Sequence, residues 1–251
     1  RDMREETPLR IQIIKMETRD RRTRLGHCPG VTLDMLTEGA LALTPEEHRR
    51  MQDFADRLIR ALEGTVKLEL QSPAGTRLLL SAKERPFFTD TKLDWKTMKW
   101  MNLPTGEVMV APVENSLTGR LVCDMAIGGI GPIKTHLDIT TKNGTAEKVT
   151  CRDNEVLRQV KETLATDDWS SVVGEFAFGI NPKARFVEQF LEAEKIFGTT
   201  HIAFGDNTDM PEGKNPSKDH MDFLINKPTV KVTREDGKAV TVLDKGRFKI
   251  F

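Results

Sequence analysis

Between Thr44 and Gly64, in LTPEEHRRMQDFADRLIRALEG, apolar residues return every three or four positions. Met51, Phe54, Ala55, Leu58, Ile59 and Leu62 form one stripe, the mark of an amphipathic helix. Thr44 as N-cap, Pro45 at the first helical position and Glu47 three residues on make a capping box, and Gly64 is a stop. The period then changes to two. TVKLEL and TRLLLSA flank QSPAG, IKTHLDITT and TAEKVTC flank Lys142-Asn143-Gly144, and TVKVTREDGK runs into VTVLD through Asp236-Gly237. Each reads as a hairpin, and Asn-Gly favours a type I′ turn. Two more helices are expected, over Asn154–Leu164 and Ala184–Ile196, with VVGEFAFGIN between them as a buried strand. Hairpins interrupted by few helices predict an α+β fold, a mixed sheet with packed helices, rather than a βαβ repeat. Residues 1–43 are less regular and read as a connecting or N-terminal remnant, with the main domain over residues 44–251.

Composition narrows the function classes. The chain has 251 residues, and its 38 basic and 38 acidic side chains cancel. That balance gives no support for a nucleic-acid or membrane-surface partner. The apolar runs are too short to cross a bilayer, and the charged opening RDMREETPLR does not read as a signal peptide. Cys28, Cys123 and Cys151 are odd in number and far apart, so no disulfide framework is expected and a cytoplasmic setting is. The start at Arg1 suggests a fragment.

No Gly-x-Ser-x-Gly elbow or P-loop is present, and GGIG at Gly128–Gly131 reads as a turn. The carboxylates and histidines carry more. His220 and Asp222 are two apart in HMDFLI, so a strand projects both from one face, where they can reach one ion. A solvated histidine beside a capping aspartate is the competing reading. His201 opens an apolar strand, as a ligand or as a core histidine. Glu107 and Glu175 follow glycines among apolar residues, a setting that costs several kcal/mol unless the charge is paired or metal-bound. Few basic residues lie near either in sequence. Together the five offer an oxygen and nitrogen donor set for one or two divalent ions. His48 reads as solvated, His136 as a surface strand residue and His27 as part of a turn. Glu114 is a reserve candidate.

NLPTGEVMVAPVENSLTGRLV, VVGEFAFGINP, EKIFGTTHIAFGDN and NPSKDHMDFLI resemble, in order, successive blocks of the M29 metallo-aminopeptidases, the aminopeptidase T and thermophilic leucyl aminopeptidase group. GHCPGVT and LQSPAGTRLLLS add to the likeness, which runs from about Leu25 to the end. The resemblance implies the C-terminal metal-binding part of such an enzyme, with Glu107, Glu175, His201, His220 and Asp222 holding two divalent ions (zinc, cobalt or manganese) at the sheet edge. It implies hydrolysis of an N-terminal peptide bond by metal-activated water, Glu175 bridging the ions, and Glu107 or Glu114 as general base. It further implies a peptide or small-molecule substrate and a homodimer. One departure stands out: the family's tyrosine is replaced by Thr208, and the chain has no tyrosine. Dihydroxypyridine dioxygenases share the fold and hold one Fe(II) by two histidines and a carboxylate, here His201, His220 and Asp222. The missing tyrosine favours that alternative, and the presence of both glutamates opposes it. A non-catalytic relative is the third reading. The loop from Asp206 to Asp219 is expected to be mobile without metal.

Overall fold

The computed structural model describes residues 12, 25–93 and 100–250. In chain order come β1 (Leu25–His27), α1 (Leu33–Thr37), α2 (Pro45–Leu62), β2 (Thr65–Gln71), β3 (Arg77–Ser81), β4 (Phe88–Thr89), β5 (Trp100–Asn102) and β6 (Glu107–Val110). Next are β7 (Thr118–Cys123), β8 (Ala126–Ile127), β9 (Gly131–Pro132), β10 (Leu137–Lys142), β11 (Thr145–Cys151), α3 (Asn154–Thr163) and β12 (Val173–Gly179). The last are α4 (Phe190–Ala193), β13 (Thr200–Gly205), β14 (His220–Ile225), β15 (Thr229–Arg234), β16 (Ala239–Asp244) and β17 (Arg247–Phe248).

The expected α+β class holds, but the described residues form two large sheets instead of one mixed sheet. One has the order β11-β10-β7-β3-β2-β15-β16-β17 and the other β4-β6-β12-β13-β14-β8-β9. Every described pairing within them is antiparallel, because hairpins and short returns build them; the parallel pairing is β1 with β5. The three predicted hairpins are β2–β3, β10–β11 and β15–β16. At the β10–β11 turn Asn143 and Gly144 have φ of 50° and 83°, as a type I′ turn needs. Gly144 is also required for space, since a Cβ there would lie 1.7 Å from Glu114 O.

The two sheets face each other across one core. Val108, Val110, Phe176, Phe178, Ile202, Phe204, Phe223 and Ile225 meet Leu68, Leu70, Leu78, Leu80, Leu121, Ile139, Val230 and Val232 in a single buried cluster. Met51, Ala55, Leu58 and Leu62 of α2 join it, as the helical stripe predicted. The capping box is formed: the Thr44 side chain accepts from the Glu47 N–H, and the Thr44 N–H donates to Glu47 at 2.8 Å. α3 also forms as expected, capped by Asp153.

The helix expected over Ala184–Ile196 shrinks to the single turn of α4. Side chains take the backbone groups that a longer helix would use. Glu192 accepts the Arg185 N–H at 3.2 Å and its Nε at 3.0 Å, and the Gln189 side chain accepts the Leu191 N–H at 3.2 Å. Gln189 Nε2 also donates to the carbonyls of Pro29 and Gly30, which ties this stretch to the segment before α1. His27 is not in the turn but ends β1, with Nδ1 2.8 Å from Asn102 Oδ1. His136 is exposed, one residue ahead of β10, and His48 is half-buried on α2. Among the described residues no helix is long and apolar enough to cross a membrane.

Thr44→Ala removes one half of the capping box and is expected to lower stability by about 1 kcal/mol in urea unfolding. No change would mean that the cap does not matter to α2.

Candidate metal centre

Alternation along four neighbouring strands sorts the side chains of the second sheet. Glu107 on β6, Glu175 on β12, His201 on β13, and His220 and Asp222 on β14 are each followed by a core residue: Val108, Phe176, Ile202, Met221 and Phe223. All five therefore project from the face opposite the core. Small residues in register make room between them. Ala203 pairs with both Glu175 and Asp222, Ala177 pairs with His201, and Gly179 pairs with Glu107. The cluster thus lies across the inner strands of the sheet and not at its edge, where it was expected.

The distances are those of a converging donor set. His201 Nε2 lies 3.4 Å from Glu175 Oε1, 3.6 Å from Glu107 Oε1 and 3.7 Å from Asp222 Oδ1. His220 Nε2 lies 3.3 Å from Glu175 Oε2 and 3.2 Å from Asp222 Oδ1. Glu175 turns one oxygen to each histidine. Most of these spacings exceed a good hydrogen bond. Two donors each about 2.1 Å from a shared ion, at a tetrahedral angle, stand about 3.4 Å apart, which is what the cluster shows. Among the described residues, donor atoms fall within 4.8 Å of one another in three groups: Glu107–Glu175–His201, Glu175–His220–Asp222 and Glu194–His201–Asp222. Glu107 Oε1 is buried and has no hydrogen-bond partner among the described residues. An interior carboxylate oxygen is seldom left so, and a cation in front of it would remove the penalty. His220 Nδ1 lies 2.7 Å from the Asp206 carbonyl. In the neutral ring the proton therefore belongs on Nδ1, donated to that oxygen, which leaves Nε2 the lone pair that a cation would take. His201 is 1% exposed and His220 32%, so the cluster meets solvent on the His220 side.

Two buried carboxylates and a lysine went unnoticed in the sequence. Lys195 Nζ sits 2.5 Å from Glu107 Oε2, 2.7 Å from Glu194 Oε1 and 3.8 Å from Asp90 Oδ2. Glu107, read as lacking a basic partner, has one that arrives from 88 residues along the chain. Asp90 also accepts the N–H groups of Gly106 (2.9 Å) and Glu107 (2.8 Å), which fixes the start of β6. A charged Glu194-Lys195 pair between Ala193 and Ile196-Phe197 was the available signal.

Glu114 is not brought into the cluster. Arg85 grips its two oxygens at 2.6 and 3.2 Å, and the Lys214 N–H donates to it at 2.9 Å. Burial pushes that carboxyl up, but these bonds outweigh it and hold it below the usual range, a poor setting for a base. Thr208 is exposed and donates to Asp206 Oδ1 at 2.8 Å. The loop expected to be mobile is fastened from inside: Asn207 Nδ2 donates to Gly174 O at 3.1 Å, Asn215 Nδ2 to Gly205 O at 2.6 Å, and the Asn215 N–H to Asn207 Oδ1 at 2.8 Å.

Residues 45–248 match the family model described as thermophilic metalloprotease (M29). The chain belongs to this family. No curated protein matches it. Among solved structures this M29 chain resembles 2,5-dihydroxypyridine dioxygenase from Pseudomonas putida KT2440, with a TM-score of 0.64 and 19% identity over 94% of this chain and 67% of that one. It also resembles wild-type AmpT from Thermus thermophilus, with a TM-score of 0.66 and 22% identity over 86% of this chain and 57% of that one. At such identities the likeness is one of fold. The M29 chain spans little more than half the length of AmpT.

Packing so many carboxylates together shifts their protons. Burial first, then the charges of Asp90 and Glu175, push the Glu107 carboxyl well above the usual range, against the pull of Lys195. Burial likewise raises Glu194, to about 8, from 4.5. Burial opposes charge on the histidines too, but Glu175 and Asp222 outweigh it and raise both. The same contacts hold Glu175 below its ordinary value despite its burial.

The signs fix a pH dependence for the M29 chain stripped of metal. Glu194 keeps its proton in the folded state after the unfolded chain has lost it, so stability falls as pH rises from 4.5 to about 8. The histidines act with the same sign: the stability they add is full below 6.5 and is lost as pH rises through their raised values. Glu175 acts oppositely, its contribution being present above 4.5 and lost only as pH falls below that. The urea midpoint of chelator-treated protein is expected to drop between about pH 5.5 and about pH 8.5. A midpoint that rises over that range contradicts this balance.

Proposed function

We propose that this chain is the catalytic part of a metal-dependent aminopeptidase that hydrolyses N-terminal peptide bonds. Family membership supports a metallopeptidase. The observation that carries the finer reading is the placement of Glu175, with one oxygen toward His201 and the other toward His220. A carboxylate so placed suits two ions. Glu107, Glu175 and His201 would hold one, and Glu175, His220 and Asp222 the other, with Glu175 shared. Charge points the same way. Glu107, Glu175, Asp222, Glu194 and Asp90, when ionised, carry five negative charges; Lys195 cancels one, and the remaining four match two divalent cations. The mixed oxygen and nitrogen donors suit zinc, cobalt or manganese.

Bound divalent ions supply Lewis acidity, which lowers the pKa of water and polarises a carbonyl. The chain does the rest. The buried strands keep the carboxylates in a low-dielectric setting, where their attraction for a cationic substrate terminus is strong. His220 holds its proton on Nδ1 against Asp206, so Nε2 keeps one orientation. Glu194, which shares a donor group with His201 and Asp222, lies close enough to take up a proton from the reacting centre.

A single Fe(II) held by His201, His220 and Asp222, as in a ring-cleaving dioxygenase, is the second reading. Asp222 Oδ1, within 3.7 Å of both histidines, favours it, although among the described residues no converging donor group joins the two histidines. It leaves Glu175, aimed at both imidazoles, and the unpartnered Glu107 Oε1 without a role.

Glu175→Ala and His220→Ala are each expected to cut hydrolysis of aminoacyl p-nitroanilides by at least about a hundredfold and to lower bound metal. His136→Ala, exposed and outside the cluster, should leave the rate unchanged. Full activity and full metal in both ligand variants would sink the assignment.

A further inference from the structure

Lys195 reaches the carboxylate face because of a glycine. Gly179 stands opposite Glu107 in the β6–β12 register. A Cβ there would lie 2.2 Å from Ile196 O, 2.8 Å from Thr199 Oγ1 and 2.9 Å from Glu194 O. The backbone after α4 therefore lies directly on the strand, and the Asn181 N–H, donating to Lys195 O at 2.9 Å, pins it there. The Lys195 side chain is 3% exposed, and its ammonium is spent on Glu107 Oε2, Glu194 Oε1 and the more distant Asp90. Glu107 Oε2 is thus occupied, and Oε1, pointing toward His201, is the oxygen left without a partner. The second donor group has no such neighbour. Among the described residues the ion-pair partners of Glu175 and Asp222 are the two histidines.

We propose that Lys195 is a positioning residue that confines Glu107 to one donor oxygen and thereby makes the two donor groups unequal. The Glu107–Glu175–His201 group binds its divalent ion more weakly than the Glu175–His220–Asp222 group. Two effects act together. A carboxylate gripped on one oxygen offers the ion a single bond, and an ammonium 2.5 Å from that carboxylate repels a cation bound beside it. The second group suffers neither. This inference rests on the two-ion reading above.

The test is calorimetric titration of manganese into the full chain after chelator treatment, for the wild type and Lys195→Met. The wild type should bind in two steps that differ at least about tenfold in affinity. In Lys195→Met the weaker step should tighten about tenfold or more, while the tighter step moves less than about threefold. A general loss of structure would weaken both steps. Two wild-type steps with an unchanged gap in Lys195→Met overturn the role of Lys195 and leave the two-ion reading standing. A single wild-type step that takes up two ions overturns this inference alone, and a single step of one ion overturns the two-ion reading with it. If Lys195→Met does not fold, Lys195→Gln serves instead: its neutral amide can still donate to Glu107 and Glu194 but does not repel a cation, so the weaker step should tighten about threefold or more. No change there overturns the proposal.

Discussion

Crowding Glu107, Glu175 and Glu194 onto one buried face is the hardest demand that this sequence places on its fold. Each is at most 5% exposed, and like charges so close repel strongly in a low dielectric. Removing even one such charge from water costs several kcal/mol. The structure meets part of that cost with one lysine, two histidines and raised carboxyl pKa values. The rest is left as unmet polar capacity, most plainly at Glu107 Oε1. Cations complete such a site at little further cost, because the donors are already oriented.

The orientation comes from the opposite face of the same strands. Phe176, Phe178, Phe204 and Phe223 are fully buried against the other sheet, and each contributes about 1.5–3 kcal/mol on leaving water. A slip of one residue in register would turn these rings outward and drive the carboxylates into the core. Core packing and donor placement are therefore one constraint. Ala177, Ala203 and Gly179, the small residues between the donors, belong to it as much as the donors do.

Most of this was legible in the sequence, for a physical reason. The hairpins, the capped helix and the buried strand around Glu175 are local patterns with fixed periods. The His220–Asp222 pair needed only the two-residue repeat of a strand. Lys195 was hidden because nothing near it in sequence announces Glu107. The pairing depends on a backbone crossing over Gly179, which is a tertiary event. The expected helix over Ala184–Ile196 failed similarly: its apolar spacing was adequate, but Arg185, Gln189 and Glu192 spend their hydrogen bonds on other partners. Glu114 had the right residue type in a suitable block, yet Arg85, 29 residues away, claims it.

The central claim is that these strands hold two divalent ions. Metal content per chain tests it most directly, measured by elemental analysis on protein purified anaerobically without chelators or a metal-affinity step. About two ions per chain, of zinc, cobalt or manganese, is the result expected from two donor groups sharing Glu175. One iron per chain would contradict it in favour of the mononuclear reading. No metal, with none taken up on titration, would show that the convergence of Glu107, Glu175, His201, His220 and Asp222 serves something other than metal binding.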